Sequence, residues 1–166
     1  MIDIQEAFRK ALPNFEQVTD AAAILVQGAA AIGIPVVVTE QYPKGFGATV
    51  EELARHIPAD AATIEKTKFS AAEADGFELG EREQAVVCGI EAHVCVNQTV
   101  LDLLDDDVEV HVAVDAVGSR TEANREIGIA KMDRAGALIT SVEMALFELL
   151  GGADAEAFEE VQALVK

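Results

Sequence analysis

What most restricts the fold of this chain is an alternation between two kinds of segment. Five short, apolar, β-branched runs read as strands: "PVVVTE" (Pro35–Glu40), "TIEK" (Thr63–Lys66), "AVVCGI" (Ala85–Ile90), "VEVHVAVDAV" (Val108–Val117) and "ALITS" (Ala137–Ser141). Helical patterns stand among them. "VTDAAAILVQGAAAIG" (Val18–Gly33) has helical spacing and closes on Gly33, a residue suited to the left-handed position after a helix. "SRTEANREIGIAKMDRAGA" opens on Ser119 with Glu122 three residues later, a capping-box pattern. "SVEMALFELL" (Ser141–Leu150) and "DAEAFEEVQALVK" (Asp154–Lys166) complete the set, and "ADGFELGERE" (Ala74–Glu83) reads as a polar loop. Strands that are apolar throughout must be covered on both faces, and each crossover has to pack back on the sheet. The predicted fold is therefore α/β: a three-layer α/β/α domain spanning residues 1–166, with a mostly parallel sheet of about six strands in a Rossmann-like order. The sixth strand would be "MIDI", which begins where such a strand should be ending. Either it pairs for only a few residues or the natural start lies upstream of Met1.

Composition removes several function classes. A formal net charge of −18 repels phosphate backbones and anionic lipid surfaces, so neither nucleic acid nor a membrane is expected as a partner. No stretch approaches the roughly 20 consecutive apolar residues of a membrane span, and "IDIQEAFRK" follows Met1 without a signal-peptide pattern, which predicts a cytoplasmic protein. Two cysteines without disulfide-style spacing suit a reducing compartment, where a thiol is buried or catalytic rather than paired. The same acidity, with many alanines and few lysines, suits either a protein kept soluble in high salt or an ordinary acidic cytosolic one.

In an open parallel sheet, ligands bind beyond the carboxyl ends of the strands. Asp3, Lys66 and Cys95 fall there: Asp3 ends "MIDI", Lys66 ends "TIEK", and Cys95 follows "AVVCGI" where the helix of "VCVNQTVLDLL" opens. A helix N-terminus favours a thiolate, an aspartate could move the thiol proton, and a lysine could hold both. Backbone N–H groups near Glu91 and Cys95 would then stabilise a tetrahedral oxyanion. Each residue also has an ordinary reading. Asp3 could be solvated, Lys66 could cover the surface, and Cys95 could be a small core residue, as Cys88 inside its apolar run is read to be.

Four pieces of the chain, "DIQ" (Asp3–Gln5), "EKTKFSA" (Glu65–Ala71), "GIEAHVCV" (Gly89–Val96) and "DAVGSR" (Asp115–Arg120), occur in the order found in the isochorismatase-like cysteine hydrolases. The chain resembles that superfamily over nearly its full length. "TEQYPKGFG" (Thr39–Gly47) and "GIEAHVCVNQTVLDLL" are similar to its isochorismatase domain-containing proteins. The resemblance implies an Asp–Lys–Cys triad at Asp3, Lys66 and Cys95, with Lys66 rather than Lys68 because the family's lysine directly precedes the "T-x-F-S" group. It implies an oxyanion hole at Glu91 and Cys95, and a cis peptide at Ile90–Glu91. His56, His93 and His111 do not form the Asp-x-His cluster of metal-dependent relatives, so no metal and no cofactor are expected. The implied activity is hydrolysis of an amide-type C–N bond in a small molecule. The alternatives are hydrolysis of a thioester or other activated acyl group at the same site, and a non-catalytic scaffold of the same fold.

Several residues carry a weaker signal. Tyr42, Phe46 and Phe69 could wall a substrate pocket or serve a turn and the core, and His93 could touch substrate or simply pack. Asp115 and Arg120 read as structural, bridging the fifth strand to the capped helix. "GFGATV" (Gly45–Val50) lacks the third glycine of a dinucleotide loop and is not read as one. Alanine-rich helical faces such as Ala21 to Ala31 predict at least a homodimer.

Overall fold

The computed structural model describes all 166 residues. In chain order its main elements are α1 (Phe15–Ile32), β1 (Val37–Gln41), α2 (Pro43–Phe46), α3 (Glu51–Ala54), β2 (Ala62–Lys66), β3 (Gln84–Ile90), α4 (Asn97–Asp105), β4 (Glu109–Gly118), α5 (Glu122–Ala135), β5 (Leu138–Thr140), α6 (Val142–Leu150) and α7 (Phe158–Leu164). A 3₁₀ turn occupies Glu6–Phe8, and a π-helical turn, Ala92–Val96, leads into α4.

All ladders are parallel, as expected where helices connect the strands: β1 pairs with β2, and β3–β4–β5 form a second group. The expected single six-stranded sheet is thus five strands in two groups. Ile2 is the reason. It makes one-residue parallel bridges to Thr39 of β1 and Gly89 of β3, standing between the groups where a sixth strand would run. The chain pairs there only through Met1, Ile2 and Asp3, too few residues to count as a strand.

Apolar side chains collect on both faces of this arrangement, giving the three layers. One core joins Val18, Ala22 and Leu25 of α1 to Cys88 and Ile90 of β3, Ala113 and Ala116 of β4, Leu146 of α6 and Val161 of α7. The other joins Val87 of β3 and Val112 of β4 to Val96 of the π turn, Val100 and Leu103 of α4 and Met132 of α5. Gly89 shows how tightly the N-terminal segment is inserted: a Cβ at that position would lie 2.0 Å from the Ile2 carbonyl oxygen, and its φ of 129° is in the region glycine favours.

Helix ends mostly follow the sequence. Gly33 closes α1 in the left-handed conformation, and the Ser141 hydroxyl caps α6 by accepting from the Met144 N–H. The capping box expected from Ser119 and Glu122 is not formed. Thr121, two residues nearer the helix, caps α5 by accepting from Asn124 N–H, which frees Ser119 for another contact. Asp115 does not reach α5 either; its carboxylate accepts from the Val142 N–H at the start of α6. No helix is long and apolar enough to cross a membrane.

Candidate active site

The three residues singled out by strand-end position are brought together. Asp3 follows the bridging Ile2, Lys66 ends β2, and Cys95 sits in the π turn after β3. The Lys66 Nζ donates to Asp3 Oδ2 at 2.6 Å, and both side chains are only 1% exposed. A buried ion pair costs more desolvation than it regains unless its remaining valences are filled. Here they are. Lys66 also donates to Gln41 Oε1 at 2.8 Å and to the carbonyls of Phe69 (3.0 Å) and Lys68 (3.3 Å), while Asp3 Oδ1 accepts from the Thr39 hydroxyl at 2.7 Å. Asp3 has φ 55°, a left-handed conformation that aspartate tolerates better than most residues.

Cys95 lies near enough to Asp3 and Lys66 for both to act on its thiol. Burial, then the adjacent Asp3 carboxylate, push its thiol up to about 12 against the pull of Lys66. This reverses the expectation of a thiolate stabilised at a helix start. The residue keeps 8% of its surface and packs with the apolar core beside Val96 and Val100, so desolvation outweighs the helix and the ammonium. The resting thiol is neutral, beside a carboxylate. Cys88, fully buried in β3, is pushed up by burial as well, as its reading as a core residue implies.

A model of the isochorismatase domain matches residues 1–144. The chain belongs to the isochorismatase domain family. It is 40% identical over 168 residues to isochorismatase domain-containing protein 1 of Salmo salar, a match covering 99% of this chain and 59% of that protein. It is 39% identical over 169 residues to isochorismatase domain-containing protein 2 of Pongo abelii, covering 100% of this chain and 81% of that protein. Among solved structures it is similar to the MAR1 ribonuclease from Caenorhabditis elegans, with a TM-score of 0.94 and 38% identity, covering 99% of this chain and 86% of that one.

Within this isochorismatase domain, the remaining predicted residues are dispersed around the Asp3–Lys66 pair. The Ile90–Glu91 peptide is cis, as the resemblance implied. Glu91 turns its buried carboxylate away to Arg120, accepting from the Arg120 backbone N–H at 3.0 Å and from Nε at 2.9 Å; Arg120 therefore anchors the turn before Cys95 rather than helix α5. His93 packs its Nδ1 against the Ser119 hydroxyl at 3.1 Å. Tyr42 and Phe69 are each half exposed. Tyr42 stands with Lys66 and Lys68 around a depression of about 440 Å³, and Phe69 with Gln98 around another of about 350 Å³. Phe46 stacks between Phe8 and Tyr42, at centroid distances of 5.3 Å and 6.5 Å. Lys68 is on the surface, paired with Glu73. No three His, Cys, Asp or Glu side chains cluster as a metal site.

Sequence reasoning did not single out Gln5, Thr39 or Gln41. Gln5 Nε2 donates to the carbonyls of Gln41 (3.0 Å) and Gly47 (2.6 Å), and its Oε1 accepts from the Gln41 N–H. Gln41 in turn donates to the Thr67 carbonyl while accepting from Lys66. The available signal was two uncharged polar residues at i and i+2, Thr39 and Gln41, on one face at the end of a strand that begins apolar.

Proposed function

We propose that this protein is a cysteine-dependent hydrolase that cleaves the C–N bond of a small amide through an acyl-enzyme on Cys95. The observation that carries the reading is the buried Asp3 carboxylate, held by Lys66 at 2.6 Å and near enough to the Cys95 thiol for its charge to act on it. A thiol held near pKa 12 is not a standing nucleophile, so its ionisation is coupled to attack. As sulfur bonds to the carbonyl carbon, its proton passes to Asp3, and the backbone N–H groups of Glu91 and Cys95 receive the developing oxyanion. Collapse breaks the C–N bond, and Asp3 returns the proton to the leaving nitrogen. Water then attacks the thioester with Asp3 again as base, which releases the acid and restores the thiol. Lys66 orients Asp3 and offsets its charge beside the transient thiolate. Tyr42, Phe46, Phe69 and His93 are proposed to shape the approach. The enzyme is proposed to be cytoplasmic and homo-oligomeric, the latter supported by exposed apolar side chains on edge strand β5 (Leu138, Ile139) and on α5 (Ile127).

A second reading is favoured by one observation, the 38% identity to a protein called a ribonuclease. Against it stands the net charge of −18, which opposes a polyanionic substrate. A panel of small amides, thioesters and single-stranded RNA tests both. The amide reading expects turnover of amides that disappears in Cys95→Ala. Cleavage of RNA alone, or amide turnover surviving in Cys95→Ala, would overturn it.

A further inference from the structure

The Asp3 carboxylate is held by two donors that arrive from different strands. Lys66, at the end of β2, takes Oδ2 at 2.6 Å, and the Thr39 hydroxyl on β1 takes Oδ1 at 2.7 Å. Thr39 and Asp3 are each only 1% exposed. Their main chains are joined as well: the Thr39 N–H donates to the Met1 carbonyl, and the Thr39 carbonyl accepts from the Asp3 N–H. A single ion pair leaves a carboxylate free to turn about its Cβ–Cγ bond, which is a broad, soft torsion. A second donor on the other oxygen removes that freedom. Packing does not call for threonine at this position. Val37 and Val38 precede it in β1, and valine at 39 would have the same shape, suit a strand as well and bring no hydroxyl to desolvate. The cost of burying the hydroxyl is offset by its hydrogen bond, and the one hydrogen bond of Thr39 Oγ1 is to Asp3. The branch at Cβ restricts χ1, which keeps the donor aimed. Gln41, two residues on and on the same face of β1, secures the other half of the pair by accepting from Lys66 Nζ at 2.8 Å.

We propose that Thr39 is a positioning residue for the reaction: its hydroxyl fixes the plane of the Asp3 carboxylate and takes up part of its negative charge, which sets how firmly that carboxylate keeps the proton on Cys95. The inference rests on the reading of Asp3 as the base. Without the donor, the carboxylate turns about the Lys66 contact and is misaligned for proton transfer, so the chemical step slows while substrate binding is unaffected. The charge that the hydroxyl shared also returns to the carboxylate, and the nearby thiol loses its proton less readily.

Three variants separate the hydroxyl from the space it fills. Thr39→Val keeps the volume and removes the donor, Thr39→Ser keeps the donor and removes the methyl group, and Thr39→Ala removes both. In Thr39→Val and Thr39→Ala, kcat for small amides should fall by about 10- to 100-fold with KM within about twofold, whereas Thr39→Ser should stay within about threefold of the unaltered protein. A residue that only fills space gives the opposite ranking, with valine mildest and serine close to alanine. That ranking, or a loss carried by KM, would overturn the proposal. Should Thr39→Val fail to fold, serine against alanine still isolates the hydroxyl, because both lack the methyl group. Iodoacetamide labelling of Cys95 at pH 8 provides a readout that needs no turnover. It should slow by about threefold or more in Thr39→Val and Thr39→Ala and hold steady in Thr39→Ser. In Asp3→Asn it should be the same with and without Thr39→Val, since the charge on which the hydroxyl acts is gone. An effect of Thr39→Val that persists beside Asp3→Asn would overturn the route through Asp3. If the unaltered protein turns over no amide, the hydrolase reading fails, and the labelling series still decides the role of Thr39.

Discussion

Replacing Asp3 with asparagine separates the reactivity of the Cys95 sulfur from catalysis, and the two should move in opposite directions. With the thiol near pKa 12, about one molecule in ten thousand carries a thiolate at pH 8. Two of the causes that raise it are the charge of Asp3 and its hydrogen bond to the sulfur, whereas Lys66 lowers it. Unit charges about 4 Å apart at an effective dielectric of about 20 interact by roughly 4 kcal/mol, or about three pKa units. Asparagine keeps the shape and one acceptor oxygen for Lys66, its amide N–H now donating to the Thr39 hydroxyl, but removes that charge, leaving the ammonium free to pair with sulfur. Iodoacetamide labelling of Cys95 at pH 8, followed by mass spectrometry, should accelerate between tenfold and a thousandfold. Amide turnover, deprived of its base, should fall by about 10² to 10⁴. In the unaltered protein the labelling rate should rise tenfold per pH unit from 7 to 10 without a plateau. Labelling that slows in Asp3→Asn, or a plateau near pH 7 in the unaltered protein, would refute the argument that Asp3 and burial hold the proton on sulfur.

The reciprocal change, Lys66→Met, removes the cause that lowers the thiol pKa, so labelling at pH 8 should slow, and urea unfolding should show a loss of about 3–5 kcal/mol from the unpaired Asp3 carboxylate. Stability should fall as pH rises from about 9 toward 12. Cys88 and Cys95 keep their protons in the folded state at pH values where the unfolded chain, with thiols near 9.0, releases them, so urea midpoints at pH 8 and 10.5 should differ less in Cys95→Ala than in the unaltered protein. Gly128→Ala should lower turnover with little effect on helix content, because its Cβ would lie 2.7 Å from the Ala92 carbonyl oxygen and 3.0 Å from His93 Cα, displacing the turn that carries Cys95; kinetics alongside circular dichroism checks this. If the acidity is an adaptation to salt, the melting temperature should climb from low to molar salt, and a flat response removes that idea.

Strand-end logic anticipated that Asp3, Lys66 and Cys95 would lie together because a parallel sheet leaves its carboxyl ends open, and all three are polar residues at the ends of apolar runs. The same logic missed the environment. A thiol pKa depends on what covers the sulfur, and the packing of Cys95 with Val96 and Val100 comes from the helix–sheet contact, not from any local spacing. The lattice of Gln5, Thr39 and Gln41 was equally hidden, since amide and hydroxyl side chains declare a partner only once distant segments meet. The sixth strand was half legible: "MIDI" announced a strand cut short, but that Ile2 alone bridges β1 and β3 at the spacing of a full strand follows only from how distant segments pack. That spacing bears on the triad. Asp3 lies one residue beyond Ile2, whose bridges fix its position, and Met1 on the other side of Ile2 is tied to β1 by donating to the Val37 carbonyl and accepting from the Thr39 N–H. The pairing of these three residues with β1 and β3 therefore orders the carboxylate on which the proposed proton transfer depends.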